Sequence, residues 1–295
     1  TMRYLEEEEG FRVTYLPVDC CGRVKLDALK EALCPETILV SIMYVNNEVG
    51  TVQPVEEAAS IVKDYNPSIL FHSDAVQGFG KYRIYPKRQK IDLLSVSGHK
   101  IHGPKGIGFI YINEKVKVKP IIFGGEQQKN MRSGTENVPG IVGYGVAAER
   151  AARTMAERTA KEIEVRDYLI NRILTEIPNC RLNGDPVKRL PNNCNISFEF
   201  IEGESLLIML DMKGICASSG SACTSGSLDP SHVLLAIGLP HEIAHGSLRA
   251  TLSEKTTKED IDFTVDELKK IIERLRSMSP LYEDFVKKQE SGKQA

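Results

Sequence analysis

The sequence predicts an α/β fold in which helices cover a mostly parallel sheet, followed by a smaller α+β domain. Short apolar runs alternate with a helical pattern in the first half, an order typical of parallel strands joined by helices. A stretch rich in Ala, Arg and Glu then predicts a long helix from about Pro139 to Pro178. Because 295 residues exceed one typical domain, we expect a large domain over residues 1–152 and a small domain over residues 153–295.

The individual elements follow from the local pattern, in chain order. Apolar runs predict strands over residues 38–43, 69–74, 91–96 and 107–112. An amphipathic pattern predicts a helix over Val55–Tyr65, between the first two strands. A further strand is expected over residues 195–200 in the second domain. Thr256 and Glu259 have the spacing of a capping box, which predicts a helix that runs to about Met278.

Composition limits the class of protein. The formal net charge is −2 with both signs mixed, so the chain has no basic patch of the kind that binds nucleic acid. No apolar run is long enough to cross a bilayer. The seven cysteines are irregularly spaced, a pattern that favours reduced thiols over a disulfide framework. We therefore expect a cytoplasmic protein with neither a membrane nor a direct nucleic-acid partner.

The most informative stretch is the end of the third predicted strand, where Ser97, His99 and Lys100 stand in a turn of small residues. Asp74 and Gln77 follow the second strand in the same way. Ligands of parallel sheets bind beyond the carboxyl ends of the strands, so these side chains should meet there. A carboxylate, an amide, a hydroxyl, an imidazole and a lysine amine are the groups that pyridoxal phosphate requires. Lys100 is therefore a candidate for covalent catalysis.

A second candidate site lies in the segment 217–227, which consists of small and hydroxylic residues around Cys223. Such residues cannot form a core, so we expect Cys223 on an exposed, mobile loop suited to a thiol that travels. The cysteines at the other apolar positions are interpreted as buried small hydrophobic residues; these are Cys34, Cys180, Cys194 and Cys216.

The segments 74–77, 97–106, 132–137 and 218–224 together resemble the cysteine desulfurases of the NifS/IscS type, which have the class-V aminotransferase fold. The resemblance covers nearly the whole chain. It implies an aminotransferase-type large domain that carries the cofactor and a small domain that carries the cysteine loop. The first residues resemble the middle of the family's large domain, so we expect that an N-terminal portion is absent from this chain.

The resemblance also implies a role for each residue around the cofactor, pyridoxal 5′-phosphate. Lys100 would carry the cofactor covalently, and Asp74 would pair with its protonated ring nitrogen. Gln77 would donate to the ring oxygen, while Ser97 and His99 would hold the phosphate.

The resemblance also implies which residues bind the substrate and accept its sulfur. Asn47 and Arg249 would bind the carboxylate of L-cysteine, and the Cys223 thiolate would attack its sulfur. Alanine would leave, and a persulfide would remain on Cys223 for transfer to an iron–sulfur scaffold protein or to a tRNA-thiolation enzyme. Thr135 would reach the phosphate of the neighbouring subunit, which implies a homodimer with shared active sites.

Two alternatives remain open at this stage. A selenocysteine lyase would have the same fold, cofactor and lysine motif, although the loop around Cys223 favours a desulfurase. The second alternative is a catalytically inactive fragment that serves as an interaction module, and the expected absence of the N-terminal portion supports it. A metal site is not predicted, because Cys20 and Cys21 have no partners at ligand spacing.

Overall fold

The first sheet of the computed structural model, which describes residues 1–220 and 230–292, has four strands. They are β1 (Leu39–Ser41), β2 (Leu70–Asp74), β3 (Leu93–Ser97) and β4 (Gly108–Ile112), in that order across the sheet. The first three run parallel, and β4 pairs antiparallel with β3. The predicted strands and the mostly parallel sheet are thus confirmed, with β4 as the exception to the parallel order.

The core of the first half lies on one face of this sheet. Alternate strand residues such as Phe71 and Leu94 point to that face and are buried. Helix α3 occupies Val55–Tyr65, as predicted, after the short helices α1 (Met2–Glu7) and α2 (Leu26–Ala32). It buries a stripe of small and β-branched residues, namely Val55, Ala58, Ala59 and Val62.

The longest element is α4, which extends over Val138–Glu176 without interruption. Its first turn is capped by the Asn137 side chain, which accepts the amide hydrogen of Gly140 at 3.1 Å. The first turns contribute Tyr144 and Ala151 to the first core, and the later turns contribute Leu169 to a second core. The predicted domain boundary at 152/153 therefore falls inside a continuous helix, and the extent of each domain stays a prediction.

The second core packs against an antiparallel sheet formed by β5 (Cys180–Leu182), β6 (Asn193–Phe198) and β7 (Ser247–Thr251). The strand predicted over residues 195–200 thus begins and ends two residues earlier, because Phe200 adopts a left-handed φ of 67° in the turn that follows. Helix α5 (Gly203–Asp211) and the short helices α6 (His232–Ala236) and α7 (His241–His245) connect β6 to β7.

Helix α8 (Lys258–Ser277) covers the second sheet, and α9 (Pro280–Gly292) follows it. The capping box at the start of α8 exists, but one residue later than predicted. Thr257 and Asp260 exchange the two capping hydrogen bonds at 2.9 and 3.2 Å. Thr256 cannot serve as the cap, because its hydroxyl accepts the amide hydrogen of Ser253 at 3.1 Å.

The cysteines of the described ranges carry free thiols in varied environments. Cys194 is buried as predicted, while Cys34 and Cys180 are half-buried. The expectation for Cys216 is wrong, because this residue is exposed after the end of α5. Over residues 1–220 and 230–292, no helix is long and apolar enough to span a membrane.

Candidate functional site

The strand-end residues lie together at the carboxyl edge of the first sheet. Asp74 is the last residue of β2 and pairs in register with Ser95, two residues before the end of β3. The chain then enters a 3₁₀ turn over Gly98–Ile101, which we call the lysine turn because it carries Lys100. The predicted meeting of Asp74, Ser97 and Lys100 at one edge follows directly from the parallel register of β2 and β3.

The lysine turn is closed by backbone hydrogen bonds and exposes its two basic side chains. The amide of Gly98 donates to the Ile107 carbonyl at 2.9 Å, and the turn ends at His102 with a left-handed φ of 63°. His99 and Lys100 are exposed. The Ser97 hydroxyl and Nδ1 of His99 lie 2.7 Å apart, so the two predicted phosphate ligands form one hydrogen-bonded pair.

The Asp74 carboxylate lies at the end of β2, in the neighbouring turn of this edge. Its Oδ1 accepts the amide hydrogen of Val76 at 2.9 Å, and the side chain is exposed. Gln77 is half-buried in the same turn. A carboxylate and an amide are therefore held within one turn by the local chain path.

Sequence reasoning missed His72, which lies on the same face of β2 as Asp74. Its Nδ1 lies 2.7 Å from the Ser41 hydroxyl, and its Nε2 lies 2.9 Å from the Ser95 hydroxyl. Burial lowers the pKa of His72, and the nearby Asp74 carboxylate opposes that shift. The sequence did contain a signal for His72: it lies two residues before Asp74 in a predicted strand, and residues two apart lie on the same face of a strand.

The lysine turn rests on α4 and on the turn after β2. A Cβ on Gly80 would lie 2.9 Å from Cγ2 of Ile101 and 3.3 Å from Cβ of Ala151, so only glycine permits this approach. Arg158 of α4 donates to the Gly80 carbonyl. Next to this contact, a cavity of about 50 Å³ is lined by Lys100 and by Lys81, among others.

The lining of this cavity combines opposite charges in a buried setting. Burial lowers the pKa of Lys81 to about 8, while the Glu162 carboxylate favours its charged form and Arg158 and Lys100 disfavour it. Glu162 is 4% exposed, and burial raises the pKa of its carboxyl group. Its Oε2 and the Oδ1 of Asn192 are buried without a hydrogen-bond partner among the described residues.

Asn47 and Arg249 meet although 201 residues separate them in the sequence. Nη1 of Arg249 donates to the backbone carbonyl oxygen of Asn47 at 3.1 Å. The turn that carries Asn47 is held by the Asn46 side chain, whose Oδ1 accepts the amide hydrogens of Glu48 and Val49, each at 2.9 Å. The pair predicted to bind a carboxylate is thus assembled from the turn after β1 and from β7.

Cys223 lies outside the described residues, but both flanks of its segment are described. On the first flank, Ser218 and Arg249 exchange backbone hydrogen bonds, and the Ser247 hydroxyl donates to the Ser219 carbonyl at 2.7 Å. On the second flank, Ser231 caps α6 by accepting the amide hydrogen of Val233 at 3.1 Å. The first flank therefore runs beside Arg249.

Thr135 is exposed in the segment before α4. This segment is fixed by the Ser133 hydroxyl, which donates to the Gly125 carbonyl at 2.7 Å, and by Gln127, which accepts the amide hydrogen of Gly134 at 3.1 Å. Within residues 1–220 and 230–292, Thr135 makes no hydrogen bond to Ser97, His99 or Lys100.

Comparison with known proteins gives a consistent assignment. Residues 1–263 match the family described as aminotransferase class-V. Cysteine desulfurase IscS of Clostridium botulinum is 53% identical over 292 residues, which cover 98% of this chain and 73% of that protein. Cysteine desulfurase IscS of Methanosarcina thermophila is 52% identical, with 93% of this chain and 67% of that protein covered.

The solved structures agree with these sequence relatives. A NifS-like protein superimposes with a TM-score of 0.85 at 39% identity, covering 93% of this chain and 71% of that chain. A structure of SspA in complex with cysteine has a TM-score of 0.71 at 35% identity, over 87% of this chain and 70% of that chain. The chain belongs to the class-V aminotransferase family, among the cysteine desulfurases of the NifS/IscS type that its motifs resemble.

Proposed function

We propose that this protein is a pyridoxal-phosphate-dependent cysteine desulfurase that converts L-cysteine to L-alanine and holds the sulfur as a persulfide on Cys223. The observation that carries the proposal is the meeting of Arg249 with Asn47 beside the first flank of the Cys223 segment. A carboxylate-binding guanidinium next to the segment that carries a thiol is what a reaction on the side chain of an amino acid requires.

The residues at the carboxyl edge of the first sheet fit pyridoxal phosphate by the chemistry of their donor set. The hydrogen-bonded Ser97 and His99 would bind phosphate oxygens, and the exposed Asp74 carboxylate would accept a hydrogen bond from the protonated ring nitrogen. Gln77 would donate to the ring oxygen, and Nζ of Lys100 would be the point of covalent attachment. When bound, the cofactor supplies an electron sink for the substrate α-carbon.

Different residues of the chain then serve the two remaining steps, which are substrate binding and sulfur transfer. Arg249 binds the substrate carboxylate through its planar fork, with Asn47 beside it, and so orients the thiol of the substrate. The Cys223 thiolate donates an electron pair to that sulfur, and a sulfur–sulfur bond forms as the carbon–sulfur bond breaks. The electron pair of the broken bond stays with carbon, which is protonated to give alanine.

We further propose a homodimer in which Thr135 completes the phosphate site of the partner subunit. The support is a set of large apolar side chains, exposed in the single chain, that precede and follow the Thr135 segment in the sequence. Ile121 is 89% exposed, Phe123 is 81% exposed and Val146 is 63% exposed. A second chain that covered these side chains would remove apolar surface from water. The persulfide sulfur would leave for an iron–sulfur scaffold protein or a tRNA-thiolation enzyme.

The test uses L-cysteine, pyridoxal phosphate and three variants. Lys100→Ala should abolish cofactor attachment and turnover, whereas Lys105→Ala, in an exposed turn nearby, should leave both unchanged. Cys223→Ser should still bind cofactor and cysteine but form no persulfide, because a hydroxyl does not accept sulfur in this exchange. Persulfide on another cysteine, detected by mass spectrometry after alkylation, would refute the assignment of Cys223. Selenide release from selenocysteine by Cys223→Ser at the wild-type rate would instead favour a lyase.

A further inference from the structure

The turn that carries Asn47 is held by side chains of the second sheet, which donate to its backbone carbonyls. The Asn47 carbonyl accepts from Nη1 of Arg249 at 3.1 Å. The next carbonyl along the chain, that of Glu48, accepts from the side-chain amides of Asn193 and Asn195, each at 3.1 Å. Donors on β6 and β7 therefore satisfy two consecutive carbonyls of this turn.

Asn195 occupies the position in β6 that lies directly opposite Arg249 in β7. The amide and the carbonyl of Arg249 both bond to Ser218, while the Asn195 carbonyl accepts the amide hydrogen of Asn183. Asn195 and Arg249 thus form a non-hydrogen-bonded pair, the arrangement in which cross-strand side chains lie closest together, on one face of the sheet. Both side chains reach the same turn, where they bind neighbouring carbonyls.

The side-chain amide of Asn195 is buried and has a single orientation. A backbone carbonyl only accepts hydrogen bonds, so the atom of Asn195 that faces Glu48 must be the donor, Nδ2. Oδ1 then faces Asn183, whose Nδ2 donates to it at 2.8 Å. Because both sides of the Asn195 amide are satisfied in a buried site, the Glu48 carbonyl is attached to a fixed point on β6.

We infer that Asn195 is a positioning residue for the substrate-carboxylate site: by holding the Glu48 carbonyl, it fixes the adjacent Asn47 carbonyl, to which the Arg249 side chain binds. The inference rests on the proposed function, since it assigns Arg249 to the carboxylate of L-cysteine. An arginine side chain has many rotamers, and a second attachment point leaves it fewer positions to sample. A guanidinium held in this way presents its planar fork to a carboxylate in a restricted set of orientations.

The test measures steady-state kinetics with L-cysteine and pyridoxal phosphate in two variants of Asn195. Asn195→Ala removes the amide, and Asn195→Ser leaves a hydroxyl that is one covalent bond shorter and does not reach Glu48. We expect each variant to raise KM for cysteine about threefold to tenfold, with kcat within about twofold of wild type. The carboxylate is bound in both the ground state and the transition state, so its loss acts mainly on KM. An unchanged KM in both variants would overturn the inference.

The matched control is Gln89→Ala, which removes another buried side-chain amide that is bonded on both sides. Gln89 lies in the loop before β3, donates to the Tyr44 hydroxyl at 3.0 Å and accepts the amide hydrogen of Tyr85 at 2.9 Å. Gln89→Ala should leave KM for cysteine unchanged. A rise in KM equal to that of Asn195→Ala would mean that any loss of a buried amide has this effect, which would contradict a specific role of Asn195.

A double variant tests whether Asn195 acts through Arg249. Arg249→Lys should raise KM by itself, and lysine lacks the planar fork whose orientation Asn195 sets. Asn195→Ala should therefore raise KM no further in the Arg249→Lys background. If the two increases in KM multiply in the double variant, Asn195 acts independently of Arg249 and the inference is wrong.

A measurement without cofactor or substrate separates this inference from the proposed function. The amides of Glu48 and Val49 both donate to Oδ1 of Asn46 in the turn. Their hydrogen exchange should accelerate about tenfold or more in Asn195→Ala and stay at the wild-type rate in Gln89→Ala. Unchanged exchange in Asn195→Ala would show that Asn195 does not hold the turn. If exchange accelerates while wild type converts no cysteine, the proposed function fails and the attachment of the turn by Asn195 stands.

Discussion

Lys81 gives a stability prediction whose sign and size follow from its surroundings. Burial holds the pKa of Lys81 at about 8, against 10.5 for an unperturbed lysine. Between these two values the unfolded chain binds a proton that the native chain has lost, so the free energy of unfolding rises with pH. Over this range the free energy of unfolding rises by about 1.4 kcal/mol per pH unit, which gives an increase of about 2 to 3 kcal/mol between pH 8 and pH 10.

Lys81→Met removes this titration, because methionine carries no proton. The quantity compared is the free energy of unfolding of Lys81→Met minus that of wild type. We expect this difference to be largest below pH 8 and to fall by about 2 to 3 kcal/mol by pH 10. Urea unfolding at half-unit intervals from pH 7 to pH 10 measures this difference. The comparison cancels the titration of groups that do not interact with Lys81, including Tyr82 and Tyr144, whose pKa values burial raises to about 12.

Lys105→Met is the control for Lys81→Met. Lys105 is exposed, so this variant should follow the wild-type pH dependence throughout. A stability difference between Lys81→Met and wild type that stays constant from pH 7 to pH 10 would refute the reasoning. It would mean that Lys81 titrates near 10.5 and that the cavity beside Lys100 solvates its ammonium group well.

Four further predictions concern separate parts of the chain. Gly50→Ala should lower the free energy of unfolding by about 1 to 3 kcal/mol, because its φ is +78° and a Cβ would lie 2.6 Å from Oδ1 of Asn193. Gly106→Ala, at φ +75° with open space around it, should cost only the backbone strain in the same urea assay. Thr257→Ala should cost about 1 kcal/mol in thermal unfolding, since it removes the cap of α8. Arg249→Lys should raise KM for cysteine roughly tenfold with a smaller change in kcat, because lysine cannot bind a carboxylate bidentately; an unchanged KM would exclude Arg249 from substrate binding.

Local pattern was sufficient to predict the strand-end part of the site. Asp74 and Lys100 each follow an apolar run of strand length, and the parallel register of neighbouring strands brings the ends of such runs to one edge. The pair of Ser97 and His99 also follows from proximity in the sequence, since a single residue separates them in one turn. These features needed no knowledge of how distant parts of the chain pack.

Features that depend on distant packing could not be obtained in this way. The antiparallel direction of β4 depends on the path of the loop after the lysine turn, which the apolar run at residues 107–112 does not encode. The contacts of Glu48 with Ser231 and of Asn47 with Arg249 join residues about two hundred positions apart. The capping box predicted at Thr256 and Glu259 lies instead at Thr257 and Asp260, because the Thr256 hydroxyl accepts the amide hydrogen of Ser253 in the preceding loop.

Helix α4 also determines how its residues that contact the first half of the molecule are oriented, around the helix axis, relative to its residues that contact the second half. With 39 residues it is about 60 Å long, and each residue turns the helix by about 100°. Ala151 and Arg158 face the lysine turn and Gly80, while Leu169 faces the second core. One residue inserted between Arg158 and Leu169 would rotate one of these contact faces away from its partner. The helix therefore tolerates substitution along its exposed side but not a change in length, and its residue count fixes the orientation of β7, with Arg249, relative to Lys100.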